Sequence, residues 1–218
     1  MNHYLSATFY FDYENPAVKA YAESVAQGAK DALSLVQQAY LRVRDDFRYN
    51  PYMFTAKPSD FTASSVLEKK QSYCIPKAVL LGAVARYHGI PSRVGFSDVT
   101  NHLSDAGLTR LLQSDVFTMH GYIELQVNQR WVKATPAFNA ALCQRMQVEP
   151  LAFNGKEDSI FQEFTHDGAR YMEYLKDYGT FDDVPREFIL EKIKTAYPHL
   201  AEHLETGFPS MKFMDAEE

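Results

Sequence analysis

The sequence predicts an α+β domain with helices packed on an antiparallel sheet, and three observations predict it. Residues 74–88, CIPKAVLLGAVARYH, read as a strongly apolar helix. Two amphipathic helical patterns precede it, and MHGYIELQV followed by Asn128-Gln129 and RWVKATP reads as a hairpin. A helix that apolar needs burial, and the sheet is what the chain offers to cover it.

Taken in order, residues 5–13 (LSATFYFDY) alternate Phe9 and Phe11 against Thr8, Tyr10 and Asp12, so the chain is expected to open as a strand with one buried face. Asn15-Pro16 punctuates. Val18, Tyr21, Ala22, Val25 and Ala29 then recur at helical spacing until Asp31 restarts a second helix carrying Leu33, Val36, Tyr40, Val43 and Phe47. Residues 48–65, with Asn50-Pro51, Lys57-Pro58 and a Ser/Thr cluster, read as an irregular surface loop, and Glu68-Lys69-Lys70-Gln71 as a solvated turn. In the 74–88 helix Ile75, Val79, Ala83 and Tyr87 stand four apart, with Leu80 and Val84 widening the stripe. Pro76 suits its first turn, and Gly89 and Pro91 end it, which puts Cys74 at the helix N-terminus. Residues 92–97 read as a strand and 98–114 as loop plus short helix. Beyond about 140 the pattern changes to short segments rich in Phe, Tyr, Asp and Gly, then a Pro185-started helix near 186–197 and an acidic tail. At 218 residues the chain is one domain, divided into a core over 1–140 and a C-terminal extension over 141–218 packed on it.

Composition excludes several classes. Hydrophobic residues make up 46% and aromatics 14%, enough to fill a core, which rules out wholesale disorder. Lys and Arg number 22 against 28 Asp and Glu and are scattered, so no nucleic-acid partner is expected. No apolar stretch reaches the length of a membrane span, and MNHYLSATFYFDY lacks the basic and apolar regions of a signal peptide, so no membrane partner and a cytoplasmic location are expected. The two cysteines, Cys74 and Cys143, form no CxxC pair; each is core filler or chemistry, and Cys143 reads as a buried structural thiol.

A thiol at a helix N-terminus faces unpaired backbone N–H groups and the positive end of the helix dipole, so the Cys74 pKa is expected to fall. His120 lies on the first arm of the hairpin, and a fold that lays this sheet beside the helix start would pair imidazole with sulfur, as in cysteine acyl-transfer enzymes. Spacing alone leaves open that Cys74 is a small buried hydrophobe and His120 a satisfied strand histidine.

At these residues the sequence resembles the transglutaminase-like superfamily. Tyr73-Cys74-Ile75-Pro76-Lys77-Ala78 with Ala85-Arg86-Tyr87-His88-Gly89-Ile90-Pro91-Ser92-Arg93 is similar to the family's cysteine block. His120-Gly121-Tyr122-Ile123-Glu124-Leu125 with Arg130-Trp131-Val132-Lys133 is similar to its histidine strand, and Val43-Arg44-Asp45-Asp46-Phe47-Arg48-Tyr49 to the helix end before the cysteine. The resemblance spans roughly residues 5–140. It implies a papain-like fold and thiol-dependent acyl transfer at an amide, with Cys74 as nucleophile and His120 as base, no cofactor, and a peptide, protein or small amide as substrate. Oligomeric state is not written in these motifs.

One position departs from the family. Its orienting Asp normally stands in Trp-x-x-x-Asp-Pro, and here Trp131-Val132-Lys133-Ala134-Thr135-Pro136 offers Thr135. A hydroxyl can accept the imidazole N–H but brings no charge to stabilise imidazolium. Asn139 is the alternative orienter, and Asp98 and Asp115 lie between cysteine and histidine. The Cys74 backbone N–H and Gln71 are the expected oxyanion donors. The same departure supports a second reading, a domain that binds a peptide or protein without turnover, using the aromatic segments Phe161–Phe164 and Tyr171–Leu175. A third motif, His199-Leu200-Ala201-Glu202-His203, satisfies H-x-x-E-H and taken literally predicts a zinc hydrolase. Only 15 residues follow it and Pro198 precedes it, so a polar helix face is the simpler reading and no metal is expected. His102 could line the same cleft or be a loop histidine.

Overall fold

The computed structural model describes residues 3–101, 106–160 and 172–208. The expected opening strand is not formed. Residues 3–5 make a 3-10 turn, and the Thr8 hydroxyl accepts from the N–H groups of Tyr10 and Phe11, which bends the chain so that Phe11 enters the core while Phe9 stays 61% exposed. Helix α1 (Pro16–Val25) is capped by Asn15, and α2 (Ala32–Asp45) begins at Asp31 in a capping box with Ser34. Both pack beneath the central helix. Ala29 and Phe47 lie just outside these helices.

The segment expected to be loop holds more order. Strand β1 (Arg48–Tyr49) pairs in parallel with β2 (Gln71–Ser72), and helix α3 (Ala63–Lys69) lies between them. The Thr62 hydroxyl caps α3, and Lys70 closes it in the left-handed region at φ 55°. A seven-residue helix with two serines in its first turn shows little apolar period, which is why the pattern misses it.

Helix α4 (Cys74–Tyr87) matches its expectation, and every residue from Cys74 to Arg86 is buried. Gly89 at φ 75° turns the chain into β3 (Ser92–Asn101). After helix α5 (Ala106–Leu112), strands β4 (Val116–Val127) and β5 (Arg130–Ala134) form the expected hairpin, with Asn128 and Gln129 both at positive φ as a two-residue turn requires. Short helix α6 (Ala140–Arg145) follows. The extension then contributes an unexpected fourth strand, β6 (Met172–Phe181), so the antiparallel sheet has the order β5-β4-β3-β6. Helices α7 (Arg186–Ala196) and α8 (Ala201–Thr206) complete it. Chain beyond residue 140 therefore shares both the sheet and the core: Met172, Val184, Ile189 and Leu204 are buried with α4 and β4.

The residues that carry the family resemblance hold this frame. Arg86 donates to Ser92 Oγ and O, Ser6 O and Asp182 O at 2.6–3.0 Å while lying 3.7 Å over the Phe11 ring, joining both ends of the chain to α4. Its burial pushes the guanidinium down to about 10. Arg93 on β3 pairs with Glu124 on β4 at 2.6 Å and lies 4.3 Å over Trp131 on β5, locking three strands in register.

Candidate active site

Cys74 opens α4, and β4 crosses that opening at Gly121. The approach is close enough that a Cβ at residue 121 would stand 2.9 Å from Ile75 Cγ1 and 3.0 Å from Ile75 Cα, so glycine is required. It also brings the Gly121 N–H to within 3.4 Å of Cys74 Sγ. His120 precedes this glycine and is opposite Ser97, beside a bulge between Ser97 and Val99. Met119 takes φ 62° there, a left-handed conformation inside a strand, and its N–H donates to Asp98 Oδ1 at 3.1 Å. Asp98 Oδ2 accepts in turn from the Tyr178 hydroxyl at 2.8 Å. Asp98 is thus a bracket for the bulge that sets the His120 direction, the recurrent use of such bulges beside sites.

Cys74 and His120 line one pocket, whose empty space, open solvent included, is about 680 Å³. Among the described residues no hydrogen bond joins them, and neither imidazole nitrogen has a partner. Both groups are neutral at pH 7. Burial pushes the Cys74 thiol up to about 11, outweighing the N–H groups of Gly121, Ile75 and Cys74 itself. This corrects the expected fall: the helix start is present, but Cys74 is only 8% exposed, and desolvation of a thiolate exceeds what three N–H groups return. Burial likewise pushes His120 down to about 4.

Thr135, just after β5, is brought to the same imidazole: with His120, Phe138 and Met172 it lines a small cavity, and among the described residues its buried hydroxyl has no hydrogen-bond partner. Its backbone is fixed by an N–H to Ser159 O at 2.9 Å and by the Tyr40 hydroxyl on its carbonyl at 3.2 Å. Asn139, the alternative orienter, accepts the Tyr49 N–H on its Oδ1 at 3.0 Å and ties β1 to α6. Gln71 does not reach the pocket; it sits on β2, where Oε1 accepts from Asn50 Nδ2 at 3.2 Å. The backbone N–H groups at the α4 start remain as candidate oxyanion donors.

The H-x-x-E-H residues are split between elements. His199 lies in a 3-10 turn with Nε2 against Leu111 O at 2.9 Å, while Glu202 and His203 lie on α8, where the His203 ring faces Phe208. Among the described residues no group of three or more His, Cys, Asp or Glu is placed to hold a metal. The Asp115 carbonyl accepts the Asn101 N–H at 3.1 Å. Cys143 is fully buried on α6, as expected of a structural thiol. His102, Phe161–Phe164 and Tyr171 lie outside the described residues.

Three features of the site escape sequence reading. Lys77, one turn after Cys74, is fully buried and donates from Nζ to the carbonyls of Arg44, Phe47 and Ala137, each at 2.8 Å, joining α4 to the end of α2 and to the segment after Thr135. The Tyr73 hydroxyl is buried without a hydrogen-bond partner among the described residues, and Tyr73 lines the pocket beside Cys74. The extension supplies one wall of that pocket through Ile193, Leu200, Leu204 and Phe208. None of these has a local signal, since each depends on which distant segment covers it.

The sequence model of the transglutaminase-like superfamily matches residues 19–136. Among solved structures, the chain is similar to a candidate cysteine protease from Cytophaga hutchinsonii, at 13% identity and a TM-score of 0.46, with 82% of this chain and 53% of that one covered. It is also similar to the periplasmic domain of TgpA from Pseudomonas aeruginosa, at 22% identity and a TM-score of 0.41, with 56% of this chain and 42% of that one covered. The chain thus spans about half the length of the structures it matches. No curated protein matches it. With the match covering more than half of its residues and the cysteine and histidine blocks facing one pocket, the chain belongs to the transglutaminase-like superfamily.

Proposed function

We propose that the protein carries out thiol-dependent acyl transfer at an amide bond, with Cys74 as nucleophile and His120 as base. The observation that carries this reading is the convergence of Cys74, at the start of α4, and His120, on β4, in one pocket, with the Gly121 N–H on the sulfur. Because the resting pair is neutral, proton transfer from the thiol to the imidazole accompanies attack. The S–C bond forms as the carbonyl electron pair moves to oxygen, held by N–H groups at the helix start. The C–N bond then breaks, and His120 returns the proton to the leaving amine. Water, activated by the same imidazole, attacks the thioester and frees the acid and the thiol. An amine in place of water would give cross-linking, but hydrolysis of a peptide, protein segment or small amide in the cytoplasm is the simpler role.

The test is the pH dependence of iodoacetamide alkylation, located by mass spectrometry, in the native protein and in His120→Ala, with Cys143 as internal control. The reading requires Cys74 to react faster than Cys143 at pH 7–8 and to lose that advantage in the variant. Equal rates, unchanged by His120→Ala, would instead favour a binding module. That second reading draws on a specific observation: Thr135 offers no charge to balance an imidazolium in a site that already disfavours one.

A further inference from the structure

The pocket that Cys74 lines is built largely of apolar side chains from segments far apart in the chain. Leu111 and Leu112 of α5 and Phe117 of β4 line it together with Leu200, Leu204 and Phe208 of the C-terminal segment, which is joined to α5 where His199 Nε2 meets Leu111 O at 2.9 Å. Cys74 and His120 line the same pocket. Among the described residues no Asp, Glu, Lys or Arg lines the pocket. The polar tip of Tyr197, which also lines it, is spent on the fold: its hydroxyl donates to Val116 O at 2.6 Å and accepts the Thr118 N–H at 2.9 Å. An extended peptide is recognised largely through main-chain hydrogen bonds, whereas Leu111, Leu112 and Leu204 reach the pocket as apolar side chains from helices α5 and α8. A charged substrate would enter without a counter-ion.

We propose that the group transferred through Cys74 is an apolar acyl group, an aliphatic chain whose carbonyl meets the sulfur while its methylenes fill the pocket lined by α5, β4 and the C-terminal helices. This rests on the acyl-transfer reading and gives the extension its role as the wall that selects the acyl chain. The step balances without a further reactant. Cys74 Sγ displaces the amine, alcohol or phenol from the carbonyl carbon, the leaving group departs with the thiol proton through His120, and water regenerates the thiol.

The experiment is a series of p-nitrophenyl esters from acetate through butyrate and hexanoate to octanoate. It follows p-nitrophenolate release and the acyl-enzyme mass on Cys74, with each rate divided by that of the ester with a free small thiol. Burying a methylene in the transition state should raise the normalised acylation rate roughly threefold to fourfold per CH₂ until the pocket is full. Leu111→Gln and Leu112→Gln, at half-buried positions that tolerate a polar side chain, should flatten that slope while thermal unfolding verifies the fold. Acylation of Cys74 at a rate flat or falling with chain length overturns the acyl-chain inference and leaves the acyl-transfer reading standing. Failure of every ester to acylate Cys74, with Cys74 no more reactive than Cys143 to iodoacetamide, overturns both.

Discussion

Replacing Lys77 by Met removes an amine held at 2.8 Å by three carbonyls and leaves those of Arg44, Phe47 and Ala137 without that donor. The neutral amine has two N–H donors for these three carbonyls, so at about 1 kcal/mol for each buried carbonyl it satisfies, the loss is roughly 2 kcal/mol above pH 10.5, where the lysine is neutral in both folded and unfolded chains. Charge reverses the comparison. Burial lowers the Lys77 ammonium from 10.5 to about 7, so between these pH values the unfolded chain binds a proton that the folded chain does not. Wild-type stability therefore rises with pH through this window by about 1.4 kcal/mol per pH unit, and falls as pH is lowered toward 7. Lys77→Met lacks this titration, and Cys74, whose thiol burial pushes up to about 11 with no contribution from Lys77, cancels in the difference. With about 1.4 kcal/mol already lost at pH 9.5 and about 4.4 by pH 7, the wild type should be ahead by roughly 0.6 kcal/mol at pH 9.5 and Lys77→Met ahead by about 2.4 kcal/mol at pH 7. Urea unfolding followed by far-UV circular dichroism reads this as a change of about 1 M in the midpoint difference between the two pH values. A wild-type advantage independent of pH, or larger at pH 7 than at pH 9.5, would refute the reasoning, because it would mean that the three carbonyls solvate the ammonium as well as water does.

Four shorter predictions concern the site. Gly121→Ala forces a Cβ against the Ile75 backbone and should lower Tm by roughly 5 °C while slowing Cys74 alkylation; an unchanged Tm in calorimetry would show that β4 does not press on α4. Thr135→Asp should raise the His120 pKa from about 4 by roughly 1–3 pH units, seen in a histidine NMR titration, and speed Cys74 alkylation near neutrality; no movement of the resonance would separate Thr135 from the imidazole. His120 carries its own pH signature: with its pKa lowered from 6.5 to about 4, wild-type stability should fall by about 3 kcal/mol as pH drops through that window, and His120→Gln should lack this component in urea titrations. Glu124→Gln leaves the Arg93 guanidinium facing a neutral amide and should cost about 1–3 kcal/mol by urea unfolding, with restoration to wild-type stability at odds with a structural pair.

What was legible in the sequence follows the range of the forces involved. Helix α4 is visible because apolar residues run through it and Pro76, Gly89 and Pro91 punctuate its ends; the β4–β5 hairpin is visible because alternation and an Asn-Gln turn are local. Strand β6 is not, since its residues show little one-sided burial and it joins the sheet only through pairing with β3. The opening segment misleads in the other direction: its alternation suits a strand, but the Thr8 hydroxyl captures two N–H groups and bends it. Within the site, Cys74, His120 and Thr135 were readable because motif order places them, whereas Asn139 and Gln71 were drawn to Tyr49 and Asn50 by contacts that spacing does not reveal.

By itself the sequence determined the central helix with Cys74 at its start, the hairpin bearing His120, and the Thr at the place of the family's Asp. These rest on hydrogen-bond periodicity, capping and order along the chain, which act over a few residues. Only the tertiary structure decided the protonation of the pair, the burial of Lys77, the juxtaposition of Thr135 with His120, and the apolar walls lent by residues 193–208. Those properties come from desolvation and from contacts between segments far apart in the chain, and neither exists until the helix, sheet and extension close on one another.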